Sequence, residues 1–431
     1  MIHMTSPESS AEAVLPVPLP RVDAFRKLGL GLFIHWGLYS IDAEGEWSLN
    51  LHKKDPEAYK TLAQTFDANA FDARAIARTA RKCGFKYIVL TTRHHDGFSL
   101  YDTRGLSNFD AQQTACGRDL IKEFTEGCRA EGIIPFLYHT TLDWTWRGKS
   151  TDALTDSEFE EYLDYLNQSV ETLCANYGEI GGFWFDGNWS RPESNWDEDR
   201  LYGMIRSYHP DAIIVNNTGL HARGEIGHPE IDCVTYEQGL PNKLNQAGHT
   251  KFVAGEMCQT FNHHWGYSQN DFNYSSLGEI IKNFARCRTE GMNYLFNVGL
   301  LASGEMPALE RELLLRFGQW YDLSGKYFCD AIPSSILGET DDVFVMERNG
   351  ELFGGVIGLG VKGDSAVTVN GKIQTEIKLS NLSGTLDTVE WVDNGELLKF
   401  KQGDDGKCSI ELTLNPYGTH QVVRAFKLSY Q

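Results

Sequence analysis

Seven short apolar runs, separated by longer stretches that mostly have helical periodicity, occupy the first three quarters of this 431-residue sequence. Continuous apolar runs of this length are typical of parallel strands that are buried on both faces. The helical stretches carry polar caps and end near a glycine. The runs cover residues 29–37, 87–92, 133–140, 181–187, 212–217, 251–258 and 293–299. The pattern predicts an α/β fold, an irregular (β/α)₈-like TIM-type barrel over residues 21–330.

The pattern of polar and apolar residues changes after Gly325. Short segments of alternating polarity follow, separated by Asn-Gly and similar turn sequences. Alternation with a period of two, interrupted by such turns, indicates antiparallel strands with one buried face. Residues 331–431 are therefore expected to form a C-terminal antiparallel β-sandwich, with one strand over residues 365–371. Residues 1–20, which contain prolines and lack a signal-peptide pattern, are expected to be a flexible leader.

The charge balance narrows the classes of partner. The chain has 59 acidic and 39 basic residues, a formal net charge of -20, and no extended basic run. Nucleic acid and anionic membrane surfaces both attract a positive footprint, so we expect neither as a partner. Nine cysteines are scattered singly without a Cys-x-x-Cys motif, which favours free thiols in a cytoplasmic protein over a disulfide framework. The sequence leaves homo-oligomerisation open.

Polar and aromatic residues recur at the carboxyl ends of the predicted barrel strands. In this architecture the carboxyl ends of all strands meet at one mouth, so residues far apart in the sequence come together there. The strand-end residues are His35, Trp36, His94, His95, Asp96, Tyr138, His139, Trp184, Asp186, Asn216, Asn217, Glu256 and Asn297. Chance would scatter such residues over both ends of the strands, so the pattern predicts a polar pocket with aromatic walls.

Two acids of this group have the chemistry needed for glycoside hydrolysis. A retaining glycosidase uses one ionised carboxylate as nucleophile and a second carboxyl group as proton carrier, roughly 5–5.5 Å apart. Asp186 and Glu256 are the strand-end acids that would supply this pair. Aromatic rings would stack on the apolar face of a sugar, while His, Asn and Glu side chains bind its hydroxyls. Partial desolvation among the rings would keep the Asp186 carboxylate reactive.

Two other interpretations of the same residues stay open. His35, His94, His95, Asp96 and Asp186 have the donor chemistry of a divalent metal site, which a metal-dependent hydrolase on such a barrel would use. The sequence has no His-x-His pair on its first strand and no His-Glu-x-x-His motif, so we expect neither a metal nor another cofactor. The remaining alternative is a non-catalytic carbohydrate-binding relative, and the presence of both acids argues against it.

At these residues the chain resembles the α-L-fucosidases of glycoside hydrolase family 29. The blocks that carry the resemblance are "GLFIHWGLYS" with the following "GEW", "YIVLTTRHHDGF", "WFDG" and "GEMCQTFNHHWGY", in that family's order and at compatible spacings. The later β-sandwich is similar to the small domain that commonly follows the family's barrel. The resemblance implies a retaining exo-glycosidase that hydrolyses terminal α-L-fucosides of oligosaccharides or glycoconjugates by double displacement through a covalent fucosyl-enzyme.

The resemblance also implies roles for individual residues. Asp186 would be the nucleophile, and Glu256 would protonate the leaving oxygen and then activate water. Glu230 and Glu237 are rivals for this second role, because the position of the acid varies between branches of the family. The residues that would bind the sugar are His35, Glu46, Trp47, His94, His95, Tyr138, His139, Trp184 and Trp265.

The sequence departs from the family pattern at two places near the pocket. His139 stands where a Tyr-Tyr pair would have its second Tyr, and Leu300 replaces a Pro. Both departures leave the reaction type intact and concern the site around the leaving group. Linkage selectivity depends on loops, which spacing arguments do not resolve.

Overall fold

The computed structural model describes residues 16–241, 246, 250–364, 366 and 374–431. Most of the expected leader, residues 1–15, lies outside this part, and Pro20 already begins the first helix, α1 (Pro20–Arg26). The strand expected over residues 365–371 also lies outside the described residues, apart from Ala366.

Eight parallel strands form a closed barrel, which confirms the predicted architecture. They are β1 (Leu30–His35), β2 (Tyr87–Arg93), β3 (Ile134–Thr140), β4 (Gly182–Asp186), β5 (Ile213–Asn217), β6 (Cys233–Glu237), β7 (Ala254–Gln259) and β8 (Asn293–Gly299). Nearly all residues of these strands are buried, because the barrel interior lies on one side and helices lie on the other. Seven strands coincide with the seven apolar runs. The remaining strand, β6, has no apolar run, because its sequence Cys-Val-Thr-Tyr-Glu mixes polar and apolar residues.

Helices cover the outside of the barrel. Besides α1 they are α2 (Tyr39–Asp42), α3 (Ser48–Leu51), α4 (Pro56–Lys60), α5 (Ala73–Lys82), α6 (Leu120–Ala130), α7 (Asp156–Asn176), α8 (Glu198–Tyr208), α9 (Leu277–Thr289), α10 (Ala308–Trp320) and α11 (Lys326–Cys329). Capping boxes begin α7 and α9, so side chains satisfy the N–H groups at both helix starts. Residues 218–232, between β5 and β6, contain no helix, so the barrel is irregular, as predicted.

The side chains of each strand alternate between the barrel interior and the layer beneath the helices. A cluster of buried side chains fills the interior and includes Phe33, Tyr87, Phe136, Tyr138 and Trp184. Their sequence neighbours Leu32 and Phe185 belong to a separate cluster outside the barrel. Because side chains of a strand repeat with a period of two, a residue one position away from an interior residue points toward the helices.

The C-terminal part is an antiparallel sheet of eight strands. They are β9 (Ile332–Gly338), β10 (Val343–Arg348), β11 (Glu351–Ile357), β12 (Glu376–Ser380), β13 (Leu386–Trp391), β14 (Phe400–Gln402), β15 (Cys408–Glu411) and β16 (Val423–Tyr430), in the spatial order β13-β16-β11-β10-β9-β12-β15-β14. Residues from distant strands, such as Val356, Trp391 and Ile410, share one core, so the sheet folds over itself into the predicted β-sandwich. Trp320 Nε1 of α10 donates to the Val423 carbonyl at 3.0 Å and ties the sandwich to the barrel.

All nine cysteines are free, and eight of them are buried. Burial raises the pKa of thiols such as Cys128 and Cys287, which marks them as packing residues rather than nucleophiles. None of the described helices is long and apolar enough to cross a membrane.

Candidate active site

The carboxyl ends of the barrel strands surround a cavity of about 870 Å³. Nine of the predicted site residues line it: His35, Glu46, Trp47, His94, His95, Tyr138, Trp184, Asp186 and Trp265. A second cavity, of about 830 Å³, lies at the opposite end of the barrel beside Pro135, Gly181 and Ile213. Active sites of such barrels lie at the carboxyl ends of the strands, and the predicted acid and imidazoles are there. The first cavity is therefore the candidate active site.

Asp186, the last residue of β4, accepts hydrogen bonds on both carboxylate oxygens. Oδ1 accepts from Trp189 Nε1 at 2.8 Å and from Asn217 Nδ2 at 3.2 Å. Oδ2 accepts from the Tyr138 hydroxyl at 3.0 Å, and His95 Nε2 lies 3.4 Å from it. Burial alone would raise the pKa of Asp186, but His95, followed by Trp189 and Tyr138, holds it below its usual value. Asp186 is thus an ionised carboxylate in the cavity wall.

Glu237, the last residue of β6, is a second acid in this wall. Asn217 Nδ2 donates to Glu237 Oε2 at 2.8 Å and to Asp186 Oδ1 at 3.2 Å. Because one nitrogen contacts both oxygens, these oxygens are at most about 6 Å apart, the sum of the two distances. Burial and the charge of Asp186 raise the pKa of Glu237 to about 7, although Asn217 and Trp265 donate hydrogen bonds to it. Below neutral pH, one acid of the pair is therefore ionised and the other protonated.

Glu256, the acid predicted at the end of its strand, does not line the cavity. It is the third residue of β7, and its register partner is Thr235, two residues before Glu237 on β6. At about 3.3 Å per residue, it lies one interior layer below the strand ends. Glu256 is 0% exposed and accepts hydrogen bonds from the Tyr87 hydroxyl and, at 3.0 Å, from Trp184 Nε1. Burial raises the pKa of Glu256 to about 7, so it is a buried, protonated acid beneath the cavity floor at acidic pH.

Burial keeps two imidazoles of the cavity neutral. It lowers the pKa of His35 to about 3 and also lowers the pKa of His94. His35 Nδ1 lies 2.7 Å from Asn297 Oδ1, while Asn297 Nδ2 donates to the Trp265 carbonyl at 2.7 Å. These bonds place the proton of His35 on Nδ1 and make Nε2 an acceptor. His35 is therefore suited to accept a hydrogen bond from a ligand hydroxyl.

Glu46 joins two loops in the cavity wall. It is 5% exposed, and its Oε2 accepts hydrogen bonds from the backbone N–H groups of Trp265 at 3.0 Å and Gly266 at 2.8 Å. The loop after β1 thereby fixes the loop after β7. This connection holds the Trp265 ring against His35, with the ring centroids 5.1 Å apart.

Aromatic rings form much of the remaining wall. Tyr138 stacks on Trp184 at 5.7 Å between centroids, and on His94 at 5.7 Å. Trp47 stacks on Trp189 at 5.9 Å with an angle of 21° between the rings. Flat apolar surfaces beside groups that bind hydroxyls are typical of a carbohydrate site.

His139 points away from the cavity, in contrast to the predicted contact with a sugar. Its neighbour Tyr138 faces the barrel interior, so the period of two turns His139 toward the helices. His139 is fully buried, and its Nδ1 lies 2.8 Å from Thr92 Oγ1. The ring packs near Tyr101, with centroids 6.1 Å apart, in the layer outside the barrel.

Asp96 is one of the five residues considered as metal ligands, and both of its carboxylate oxygens accept hydrogen bonds from neighbouring groups. Asp96 is turned toward Tyr59, whose hydroxyl donates to Asp96 Oδ2 at 2.9 Å. Its Oδ1 accepts from the backbone N–H of Phe98 at 3.1 Å. Among the residues that the structure describes, no group of three or more His, Cys, Asp or Glu side chains is arranged to hold a metal ion.

The groups around Asp186 also include Glu237, Asn217 and Trp189. The sequence pattern placed Asn217 at a strand end and offered Glu237 as a rival acid, and it assigned no role to Trp189. Glu237 stood only as a rival of Glu256, and β6, which has no apolar run, was not among the predicted strands. The signal that identifies β6 is a short segment rich in β-branched and aromatic residues between turn sequences. Once β6 is recognised, the same strand-end rule selects Glu237. Trp189 lies in a turn three residues after Asp186, where no periodicity marks it.

The sequence profile of a protein family described as Alpha-L-fucosidase matches residues 12–326, well over half of the chain. The chain belongs to the α-L-fucosidase family. It is 26% identical to the α-L-fucosidase of Dictyostelium discoideum, over 82% of this chain and 82% of that protein. It is also 26% identical to the tissue α-L-fucosidase of Homo sapiens, over 72% of this chain and 69% of that protein.

Solved structures of α-L-fucosidases share the architecture of this family member. Isoenzyme 1 from Paenibacillus thiaminolyticus has 27% identity and a TM-score of 0.80, with 96% of this chain and 99% of that chain covered. A glycoside hydrolase family 29 α-L-fucosidase from Bacteroides thetaiotaomicron has the same fold, with 21% identity, a TM-score of 0.80, and 99% and 98% of the chains covered. As an α-L-fucosidase, the protein is a glycoside hydrolase that acts on fucosylated substrates.

Proposed function

We propose that the protein removes terminal α-L-fucose from oligosaccharides or glycoconjugates with retention of anomeric configuration, with Asp186 as nucleophile and Glu237 as acid and base. The observation that carries this proposal is the contact of Asn217 Nδ2 with both carboxyl groups. It limits the separation of two of their oxygens to about 6 Å. This fits the roughly 5–5.5 Å of a retaining pair better than the roughly 6.5–9.5 Å of an inverting pair, which must also accommodate a water molecule.

In the first step, the ionised Asp186 attacks the anomeric carbon. The bond from this carbon to the leaving oxygen breaks, and that oxygen takes the proton of Glu237. The lowered pKa of Asp186 keeps the nucleophile unprotonated, and the raised pKa of Glu237, about 7, keeps the proton available. The products are a fucosyl ester of Asp186, a Glu237 carboxylate and the free leaving group.

In the second step, Glu237 acts as a base. The ester of Asp186 carries no negative charge, so the pKa of Glu237 falls once the ester has formed. Glu237 takes a proton from water as the water oxygen bonds to the anomeric carbon and the bond to Asp186 breaks. α-L-Fucose leaves, and both carboxyl groups return to their initial states. A fucosidase from Bacteroides thetaiotaomicron has been trapped as a covalent intermediate with 2-fluoro-fucosyl fluoride, which supports an ester here.

The remaining cavity residues would hold the fucose ring between the two acids. The neutral His35 and His94 would bind hydroxyl groups without adding positive charge beside Asp186. Trp184 and Trp265 would contact the apolar face and the methyl group of the sugar.

Replacing Glu237 and Glu256 separately by Gln tests which acid transfers the proton. The 4-nitrophenyl leaving group needs little protonation, so Glu237→Gln should form the fucosyl-enzyme from 4-nitrophenyl α-L-fucoside but hydrolyse it slowly. Azide can attack the fucosyl-enzyme without a base, so it should restore the turnover of Glu237→Gln and give α-L-fucosyl azide. Glu256→Gln should show no azide effect. If azide restored the turnover of Glu256→Gln instead, the role of acid and base would belong to Glu256. A wild-type protein that hydrolyses no fucoside would overturn the proposed function.

A further inference from the structure

The cavity is much larger than a single fucose. Fucose has eleven non-hydrogen atoms, and even at a water molecule's share of about 30 Å³ for each atom it would fill roughly 330 Å³. The cavity holds about 870 Å³. More than half of it therefore extends beyond the sugar that Asp186 attacks.

The additional space lies beside Glu237, on the side where the leaving group receives its proton. Two loops line it: residues 188–198 after β4 and residues 218–227 after β5. The second loop is attached to β6 next to Glu237, because Gly224 N donates to the Thr235 carbonyl at 2.9 Å and Arg223 Nε donates to the Glu237 carbonyl at 2.5 Å. We call the part of the cavity lined by these two loops the outer cavity.

The outer cavity has groups that suit a sugar ring. Trp189 stacks on Trp47, and Gly219 lies against the Trp189 ring. Leu220 is 50% exposed at the rim. Asn216 Nδ2 donates to the Tyr202 hydroxyl at 2.9 Å and to Glu198 Oε1 at 3.3 Å, and these contacts hold the Glu198 carboxylate in the wall. Apolar surface beside carboxylates that can accept hydrogen bonds complements the face and the hydroxyls of a sugar.

The charge of the outer cavity is negative. Glu198 and Glu225 line it, and the ionised Asp186 lies at its inner end, whereas Glu237 carries a proton when it acts as the acid. No Lys or Arg occurs among the lining residues in the part of the chain that the structure describes. Arg191, on the first loop, is directed elsewhere, because its Nη1 donates to the backbone carbonyls of residues 151 and 154. Arg223, on the second loop, donates through Nε to the Glu237 backbone carbonyl and is not among the lining residues, whose imidazoles outside the inner pocket are His221 and His263. A carboxylate or sulfate on the leaving group would therefore approach like charges with no Lys or Arg among the described lining residues to offset them.

We infer that the outer cavity is a subsite for an uncharged sugar as leaving group, and that Glu198 and Glu225 disfavour anionic leaving groups. This inference rests on the proposed function of the same site. It assigns the enzyme to neutral fucosylated glycans and predicts poor activity where the sugar next to fucose carries a carboxylate or a sulfate.

A matched pair of substrates tests the inference: 3-carbamoylphenyl and 3-carboxyphenyl α-L-fucoside, which have the same shape and differ in charge. The kcat/KM of the carboxylate should be at least about ten-fold lower at low salt, which corresponds to about 1.4 kcal/mol. Raising the salt from about 0.01 M to about 1 M shortens the Debye length from about 30 Å to about 3 Å, so the ratio should approach one. This measurement needs no variant and is unaffected by folding defects.

A charge series at position 225 assigns the effect to a residue. The preference for the neutral substrate should shrink in Glu225→Gln and reverse in Glu225→Lys, because Glu225 is exposed at the cavity rim. The double variant Glu126→Gln/Glu160→Gln removes two exposed acids from the outer helices and should keep the wild-type ratio. Equal kcat/KM values for the two substrates at low salt would overturn the inference while leaving the proposed function intact. A salt-sensitive ratio that the 225 series leaves unchanged would overturn the role of Glu225, and hydrolysis of neither fucoside would overturn the proposed function.

Discussion

Replacing Glu256 by Gln should stabilise the protein at alkaline pH. Glu256 is fully buried, and burial raises its pKa from 4.5 to about 7. A carboxyl group whose pKa rises on folding contributes stability that is fully present below its unfolded pKa and is lost as the pH rises through its folded pKa. The wild type should therefore lose stability as the pH rises from 4.5 past about 7. The Gln variant avoids this loss, because an amide does not titrate.

The size of the effect follows from the shift in pKa. About 2.5 pKa units at about 1.36 kcal/mol each give roughly 3 kcal/mol in the free energy of unfolding. For a barrel of about 310 residues, an unfolding entropy of about 2.1 cal/mol/K per residue converts this to roughly 5 °C in melting temperature. Gln preserves the local contacts, because its Oε1 can accept from Trp184 Nε1 while its Nε2 donates to the Tyr87 oxygen.

The assay compares melting temperatures of the wild type and Glu256→Gln at about pH 4.5 and about pH 8.5, at one heating rate. The advantage of the variant should grow by roughly 5 °C between the two conditions. The matched control is Glu310→Gln, which removes another buried acid whose pKa is raised to about 8 and which accepts from the backbone of Gly299. It should show a gain of the same sign. An advantage of Glu256→Gln that does not grow with pH would refute burial of a titrating acid as its cause.

Three further predictions concern the pair of acids. Tyr138→Phe removes a hydrogen bond to Asp186 worth about 1.5–3 kcal/mol, equivalent to about 1–2 pKa units, so the acidic limb of the kcat/KM profile should move upward by about one pH unit. An unmoved acidic limb would contradict the assigned donor. Asn217→Ala removes the amide that contacts both acids and should lower kcat about 10²-fold with intact folding by circular dichroism; full activity would deny its positioning role. The basic limb of the wild-type profile should lie near pH 7, where Glu237 loses its proton, and should disappear in Glu237→Gln; its persistence in that variant would assign it to another group.

The barrel and the sandwich were predictable because their signals extend over many residues. Seven strands appear in the sequence as continuous apolar runs, since helices and the barrel interior bury both of their faces. The strand β6 escapes this rule because Thr235 interrupts its apolar residues and Glu237 ends it. Its absence from the prediction also removed Glu237 from the set of strand-end acids.

The site depends on shifts of one or two residues that periodicity alone does not resolve. His139 follows Tyr138, whose side chain faces the barrel interior, so the side chain of His139 faces the helices. Glu256 pairs with Thr235, two residues before Glu237, so Glu256 lies one layer below Glu237. The prediction of Asp186 at the cavity needed no such precision, because Asp186 is the only acid of its apolar run and is the last residue of β4. Contacts such as those of Asn217 and Trp189 become visible only when the loops are placed in space.

The most direct test of the account is the identity of the residue that becomes covalently attached to the sugar. The wild-type protein is incubated with 2-fluoro-fucosyl fluoride, digested at acidic pH and examined by mass spectrometry of its peptides. We expect one 2-fluoro-fucosyl group per chain, on Asp186, and no labelling of Asp186→Ala. A label on Glu237 or Glu256, or no label in a preparation that hydrolyses 4-nitrophenyl α-L-fucoside, would contradict the assignment of Asp186 as nucleophile.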